Sequence, residues 1–144
     1  MGYVIATEKA YRHTKAMVEK MEASLLEHQQ RDGAELDPVM RQAVVDGMAS
    51  LLEEWRAQMQ EYEQLKAGKA TLRIASLAEL PQILVKARLA AGLTQKQLAE
   101  KLGLKPQQIQ RYEATSYRTI TLSRAQEIAE ALGLRWDATV HVGR

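Results

Sequence analysis

The 144-residue chain contains no cysteine, which excludes both a disulfide framework and a thiolate metal site. No apolar run approaches the roughly 20 residues that a membrane span needs, and the first residues lack the basic start and long apolar core of a secretory signal. A glycine-rich phosphate loop and a nucleophile elbow are also missing. These absences predict a soluble, cytosolic protein without a membrane partner.

Histidine is scarce, and its distribution argues against a catalytic or metal site. The three histidines, His13, His28 and His141, fall on different predicted elements. They form no i, i+4 pair and have no acidic residue at ligand spacing. We therefore expect solvated surface histidines, no metal, no cofactor and no enzymatic activity.

The net charge of +2 hides an asymmetry between the two halves of the chain. Residues 1–68 hold eight Lys and Arg against twelve Asp and Glu, a net of −4. Residues 69–144 hold twelve against six, a net of +6. Positive potential on one half favours a nucleic-acid partner for that half alone.

The N-terminal half has the apolar periodicity of two amphipathic helices. Thr7 can cap a first helix that runs to about Gln30. Asp37 and Pro38 have the residue types of a helix cap and first position, so a second helix of about 30 residues, roughly 45 Å long, should reach Gly68. Residues 1–68 are therefore predicted to form a long helical hairpin.

The second helix is too long for the first helix to cover alone, so part of its apolar stripe should contact another chain. The alternative is that the stripe packs only on the first helix and on the protein's own C-terminal domain; Trp55 is buried in either case. We predict a homodimer or partner interface on the hairpin, formed by Met48, Leu51, Trp55, Met59 and Tyr62.

Residues 69–76 read as a connector, in which 71–74 alternate and could form a brief strand. Ser76 with Glu79, and Ser123 with Gln126, have capping-box spacing and predict helices on either side of the central motif. Leu122 is expected in the core. The tail, 135–144, alternates weakly and could form a strand that pairs with 71–74 or with its copy in a second subunit.

The most informative stretch is 94–113, which has the pattern of two short helices around a glycine turn. Thr94 and Gln97 form a capping box, and Gly103 suits a left-handed helix end. Lys105 is a candidate cap, and Pro106 fits a first helical position. The second of these helices carries polar side chains that the fold itself does not need, which is typical of a helix-turn-helix.

The string Arg88-Leu-Ala-Ala-Gly-Leu-Thr-Gln-Lys-Gln-Leu-Ala-Glu-Lys-Leu-Gly-Leu, followed by Ile109 and Glu113, resembles the Cro/repressor (XRE) helix-turn-helix family over roughly residues 77–134. The resemblance implies an all-α fold, with one or two short strands at most: a five-helix lambda-repressor-like domain preceded by the hairpin. It also implies a bacterial protein that joins the nucleoid when bound to DNA. The chain has Ala114-Thr115 where many members have Asn-Gly.

The resemblance also implies roles for individual residues. Gln95 would contact phosphate, Gln107 and Arg111 would face base edges, and Arg88 with Glu113 would form an internal ion pair. From the geometry of a recognition helix we add one base-contacting and four phosphate-contacting candidates. The full base-contacting set is Gln107, Gln108 and Arg111, and the phosphate-contacting set is Gln95, Lys105, Tyr117, Arg118 and Arg124.

Two functions fit these features. The first is a dimeric transcriptional repressor that reads a palindromic operator in double-stranded DNA. The second is an antitoxin that neutralises a toxin protein with its acidic half and represses its own operon with its basic half. Because 7–66 are strongly patterned as helix, whereas neutralising segments are often disordered when free, the regulator is favoured.

Overall fold

The computed structural model describes residues 3–31, 37–69, 71–135 and 137–143, and within them the regular secondary structure is entirely helical. The predicted all-α class is confirmed. None of these helices is both long and apolar enough to cross a membrane. The α-helices are α1 (Glu8–Gln30), α2 (Pro38–Lys66), α3 (Leu80–Ala90), α4 (Gln95–Leu102), α5 (Pro106–Ala114) and α6 (Leu122–Ala131), and a 3-10 turn spans Leu77–Glu79.

Neither predicted strand is present: 71–74 and the described part of the tail are irregular. Short alternating segments need a partner strand to satisfy their backbone groups, and alternation alone does not supply one. The turn predicted between the first two helices falls mostly on 32–36, outside the described residues.

The chain separates into two compact units, 1–64 and 65–144, with the division in the last turn of α2. The functional ranges predicted from sequence, 1–68, 69–76, 77–134 and 135–144, stay a prediction. Each unit has its own buried side chains and is described separately below.

In the first unit, α1 begins where the sequence indicated, because the Thr7 hydroxyl accepts the Ala10 amide at 3.1 Å. The start of α1 contacts the end of α2. The rings of Tyr11 and Tyr62 stack with centroids 4.8 Å apart, and the Tyr62 hydroxyl donates to Glu8 at 3.0 Å. The two helices therefore run antiparallel.

These contacts alter the predicted hairpin interface. Tyr62 is buried within its own unit by the stacking on Tyr11, so it has no surface left for a partner. Trp55, which was expected to be buried, is only half-buried, as are Met48 and Met59. Of the predicted set Leu51 is the most exposed, and its neighbour Leu52, about 100° further round α2, is buried instead.

The second unit contains the 3-10 turn and α3 to α6. A five-helix domain is predicted here, and the described residues of this unit form four α-helices and the 3-10 turn. Ser76 does not cap it through its side chain; instead the Glu79 carboxylate accepts the Ala75 amide at 2.8 Å. Pro81 lies in the first turn of α3, where its missing amide leaves no bond unmade.

The start of α6 also differs from the prediction. Thr121, not Ser123, is the N-cap, and its hydroxyl accepts the Arg124 amide at 3.1 Å. The helix therefore begins at Leu122, whose side chain is exposed and does not join the core. Serine is by residue type at least as good an N-cap as threonine, so sequence alone does not select Thr121 over Ser123.

Helix α4 packs against α5 and α6, and α3 packs against α6. These contacts enclose a small aliphatic core that fixes the direction in which α5 points its outer face. The buried apolar side chains on these four helices are Ile83, Leu84, Val85, Ala87, Leu89, Leu98, Ala99, Ile109, Ala125, Ile128 and Ala129.

Candidate nucleic-acid interface

Both ends of α4 have the capping hydrogen bonds and turn that the sequence predicted. The Thr94 hydroxyl accepts the Gln97 amide at 3.1 Å, and the Gln97 side chain accepts the Thr94 amide at 2.9 Å. At the other end Gly103 is left-handed, with φ of 66°, and the Leu104 amide donates to Ala99 at 2.9 Å. This is a Schellman motif, in which a residue without a Cβ turns the chain away from the helix axis.

Helix α5 begins at Pro106, as predicted. Lys105 occupies the cap position but contributes no side-chain acceptor; the Gln108 side chain accepts the Lys105 amide at 3.0 Å instead. Ile109 is completely buried and anchors the helix from below. The opposite side of α5 is therefore held outward.

A buried ion pair fixes α5 to the end of α3. The Arg88 guanidinium donates to both carboxylate oxygens of Glu113, at 2.5 and 2.9 Å, and both side chains are almost fully buried. Arg88 also donates to the Leu93 carbonyl at 2.7 Å, and the Gln95 amide donates to Glu113 at 2.8 Å. One carboxylate thus links α3, α4 and α5, because a bidentate pair with added hydrogen bonds allows little change of angle.

The three predicted base-contacting residues are not equivalent. Gln107 and Arg111 are exposed, and neither side chain makes a hydrogen bond or ion pair within the described residues. Gln108 is half-buried, and its oxygen is engaged by the cap amide of Lys105. Bidentate pairing with adenine uses both the oxygen and the nitrogen of a glutamine. Gln107 and Arg111 are therefore better placed to read bases than Gln108.

The predicted phosphate-contacting residues also differ. Lys105 and Arg118 are exposed, and their charged groups make no ion pair within the residues that the structure describes. Arg124 is paired with Glu127 at 2.6 Å, so a phosphate would have to compete with a carboxylate. Gln95 is half-buried and already donates to Glu113. Lys105 and Arg118 are the side chains that are free to meet an anion.

Tyr117 is a correction to the prediction, because its side chain is only 1% exposed and cannot contact phosphate. Its amide donates to the Tyr112 carbonyl at 2.7 Å, and the Ser116 amide donates to Glu113 at 2.9 Å. These are the bonds of a Schellman motif, with Ser116 in the left-handed position at φ of 51° and Tyr117 as the apolar residue that follows.

Helices α3, α4 and α6 end in the same way, with a glycine followed by Leu93, Leu104 or Leu134. Tyr117 takes the place that leucine has in those three turns. The prediction missed this because the loop after α5 has no glycine to mark the motif. The regular glycine-leucine spacing at the other helix ends is the signal that could have revealed it.

Burial of Tyr117 has a polar cost, because its hydroxyl meets no described residue in full hydrogen-bond geometry, although the Glu113 carboxylate is near enough to interact with it. Desolvation, and secondarily the negative charge of Glu113, raises the pKa of Tyr117 above its ordinary value, so the phenol stays neutral. The ring of Tyr112 lies 5.9 Å away and supports the apolar part of the side chain.

We expect Tyr117→Phe to leave the free energy of unfolding unchanged or to raise it by up to about 1 kcal/mol, since it removes a buried hydroxyl that lacks a partner. Tyr112→Phe, on the half-exposed neighbouring ring, is the control and should change little. Urea denaturation of both variants gives the comparison. A loss of more than about 1 kcal/mol in Tyr117→Phe would show that the hydroxyl makes a hydrogen bond that the fold needs.

The geometry of α4 and α5, a capped helix, a glycine turn and a second helix with a free polar face, defines a helix-turn-helix. A family model described as Helix-turn-helix matches residues 84–138. This match agrees with the helix-turn-helix that the sequence predicted, and the two long helices α1 and α2 precede the matched segment. Neither the curated proteins nor the solved structures contain a significant match to the chain.

Proposed function

We propose that the protein is a dimeric regulator of transcription that binds a palindromic operator through the major groove of double-stranded DNA. The observation that supports this most directly is the outer face of α5, where Gln107 and Arg111 are exposed and make no side-chain hydrogen bond or ion pair to the residues that the structure describes. Polar side chains that make no hydrogen bond within the described part of the protein are available to bind a ligand. Their support on a buried ion pair keeps the helix that carries them rigid.

The chemistry of these side chains assigns their roles. The Arg111 guanidinium can donate to O6 and N7 of one guanine, and the Gln107 amide can both accept from and donate to one adenine. Gln108 contributes a single donor while its oxygen holds the cap of α5. We therefore assign most of the sequence specificity to Gln107 and Arg111.

Electrostatics supports the same surface. Residues 69–144 carry a net charge of +6, whereas 1–68 carry −4. Lys105 at the start of α5 and Arg118 in the following loop are placed on either side of the base-reading residues along the chain. Contacts from them to phosphate would fix the position of the helix on the duplex without reading sequence.

A dimer gives the sequence specificity that one short helix cannot provide. Two copies of α5 related by a two-fold axis would enter successive major grooves about 34 Å apart, which is one helical turn of DNA. The operator would then be a palindrome. Such a regulator would act in the bacterial cytoplasm, on the nucleoid.

The antitoxin is the alternative function. Its supporting observation is the negative charge of 1–68, which suits a basic toxin. The regulator is favoured because α1 and α2 are regular helices in the free chain and form side-chain contacts with each other. A neutralising segment that folds only on its toxin would not require these internal contacts.

Binding of the purified full-length chain to the DNA upstream of its own gene tests the proposal. Fluorescence anisotropy should show saturable binding that is tighter than binding to a shuffled duplex of equal composition. The affinity for both duplexes should fall as salt rises, because phosphate contacts release counterions. Equal affinity for the two sequences at every salt concentration would contradict a sequence-specific regulator.

A further inference from the structure

One face of α2 is apolar and is left exposed by the described residues of its own unit. Met40, Val44 and Leu51 are 61%, 41% and 36% exposed, and they recur with Gly47 at steps of three or four residues. They therefore line one face of the helix. Leu52, which is buried, lies about 100° further round the helix, so the exposed face is distinct from the buried one.

No contact of Gly47 with the described residues accounts for a glycine at the centre of this face. A Cβ built on it would meet no atom within 4 Å, and its backbone is ordinary helix. Glycine in a helix interior is less favourable than alanine, so the fold alone gives no reason for it. Close approach of a second backbone from outside is one reason for a helix to have a glycine there.

Half-buried Trp55 continues this face by one more step of four residues. The four apolar side chains at 40, 44, 51 and 55 are symmetric about a centre between Gly47 and Met48. If residue i of one helix meets residue 95 − i of an antiparallel copy, Val44 lies opposite Leu51 and Met40 opposite Trp55. A contact between identical surfaces across a two-fold axis requires this kind of self-complementarity. A parallel pairing would instead bring each residue against its own copy.

Charge favours the same antiparallel arrangement. From Met40 to Leu51 this face carries no charged side chain, so two acidic units can meet there without opposing like charges. The antiparallel register brings the first turn of α2, at the positive end of its helix dipole, alongside Glu54 of the other copy. A parallel register would bring the two copies of Glu54 together.

We propose that the α2 face formed by Met40, Val44, Gly47, Leu51 and the half-buried Trp55 binds a second copy of this chain, antiparallel about a centre between Gly47 and Met48. This deepens the proposed dimeric regulator and rests on that function for its biological role. A contact between two helix faces of this length buries roughly 800 Å² in total, at the low end of interface sizes. The dimer should therefore dissociate reversibly and be favoured on a palindromic site.

Sedimentation equilibrium of the full chain over a concentration series tests the surface. We expect reversible self-association that Leu51→Glu or Val44→Glu weakens at least tenfold. Leu26→Glu is the matched control: this leucine is also exposed, at 55%, but it lies on α1. A monomer at every concentration, or equal weakening by Leu26→Glu, would overturn the assignment and would leave the face to a partner of another kind.

The register can be tested separately because the chain has no native cysteine. A mixture of Val44→Cys and Leu51→Cys proteins should cross-link efficiently through a short thiol-reactive linker, whereas Val44→Cys alone should cross-link poorly. The reverse result would indicate parallel pairing and overturn the two-fold contact about Gly47.

Gly47→Ala separates helix stability from association. Alanine should raise the Tm of the dilute monomer, since nothing in the chain opposes its methyl group. The same change should weaken self-association if two backbones meet at this point. Unchanged or stronger association would contradict a close approach at Gly47.

DNA binding distinguishes failure of this inference from failure of the proposed function. Leu51→Glu should bind a half-site duplex as the parent does and lose affinity only for the full palindrome. If neither protein binds any duplex specifically, the regulator proposal fails, while sedimentation still decides whether α2 associates. If both bind the palindrome equally, the interface assignment fails and DNA recognition stands.

Discussion

Glu113→Ala should lower the free energy of unfolding by about 3–5 kcal/mol, because it leaves the Arg88 guanidinium buried without its carboxylate. The same change removes the acceptor of the Gln95 amide, so α5 loses its side-chain hydrogen bonds to both α3 and α4. Urea denaturation followed by circular dichroism gives the measurement.

Glu127→Ala is the matched control for that loss. It removes the carboxylate of an Arg-Glu pair as well, but the pair of Arg124 and Glu127 is exposed. Solvent screens such pairs, and their contribution is typically below about 1 kcal/mol. Equal destabilisation by the two substitutions would mean that the buried pair does not hold the domain together.

Arg111→Ala should cost about 1–3 kcal/mol of DNA-binding free energy for each half-site and should relax the preference at one base pair. The expected cause is the loss of two hydrogen bonds to a single guanine. Binding to the operator and to operators changed at one base pair, all at the same salt concentration, gives both quantities.

Lys105→Ala is the comparison, since this lysine is equally exposed and precedes the same helix. It should weaken binding to every sequence by a similar factor and reduce the salt dependence. If both variants lost equal affinity on specific and random DNA, neither residue would be a base reader, and the assignment of α5 would be wrong.

Local sequence rules predicted helix ends correctly where only one nearby residue was suited to the cap or the turn. Thr7, Thr94 and Gly103 occupy the helix ends that the sequence indicated, because a cap or a left-handed turn is decided within a few residues. Local rules failed where two candidates compete. Thr121 and Ser123 are both acceptable caps, and contacts elsewhere in the unit decide between them.

Tyr117 likewise shows that residue type alone does not predict whether a side chain is exposed. A tyrosine in a charged loop is a reasonable DNA-contacting residue by type, yet its side chain is buried because it closes the turn after α5. Similarly, the periodicity of α2 placed Tyr62 and Leu51 in one set, although only stacking on Tyr11 shows that Tyr62 is already covered.

The sequence by itself determined that the chain is helical, where most helices begin and end, and that its C-terminal half contains a helix-turn-helix. Those properties follow from periodicity, caps and glycines, which act over three or four residues. Only the tertiary structure decided which polar side chains stay free and which apolar face of α2 stays uncovered. Exposure depends on neighbours that are distant in sequence, such as Tyr11, which stacks on Tyr62, and their approach is a product of packing.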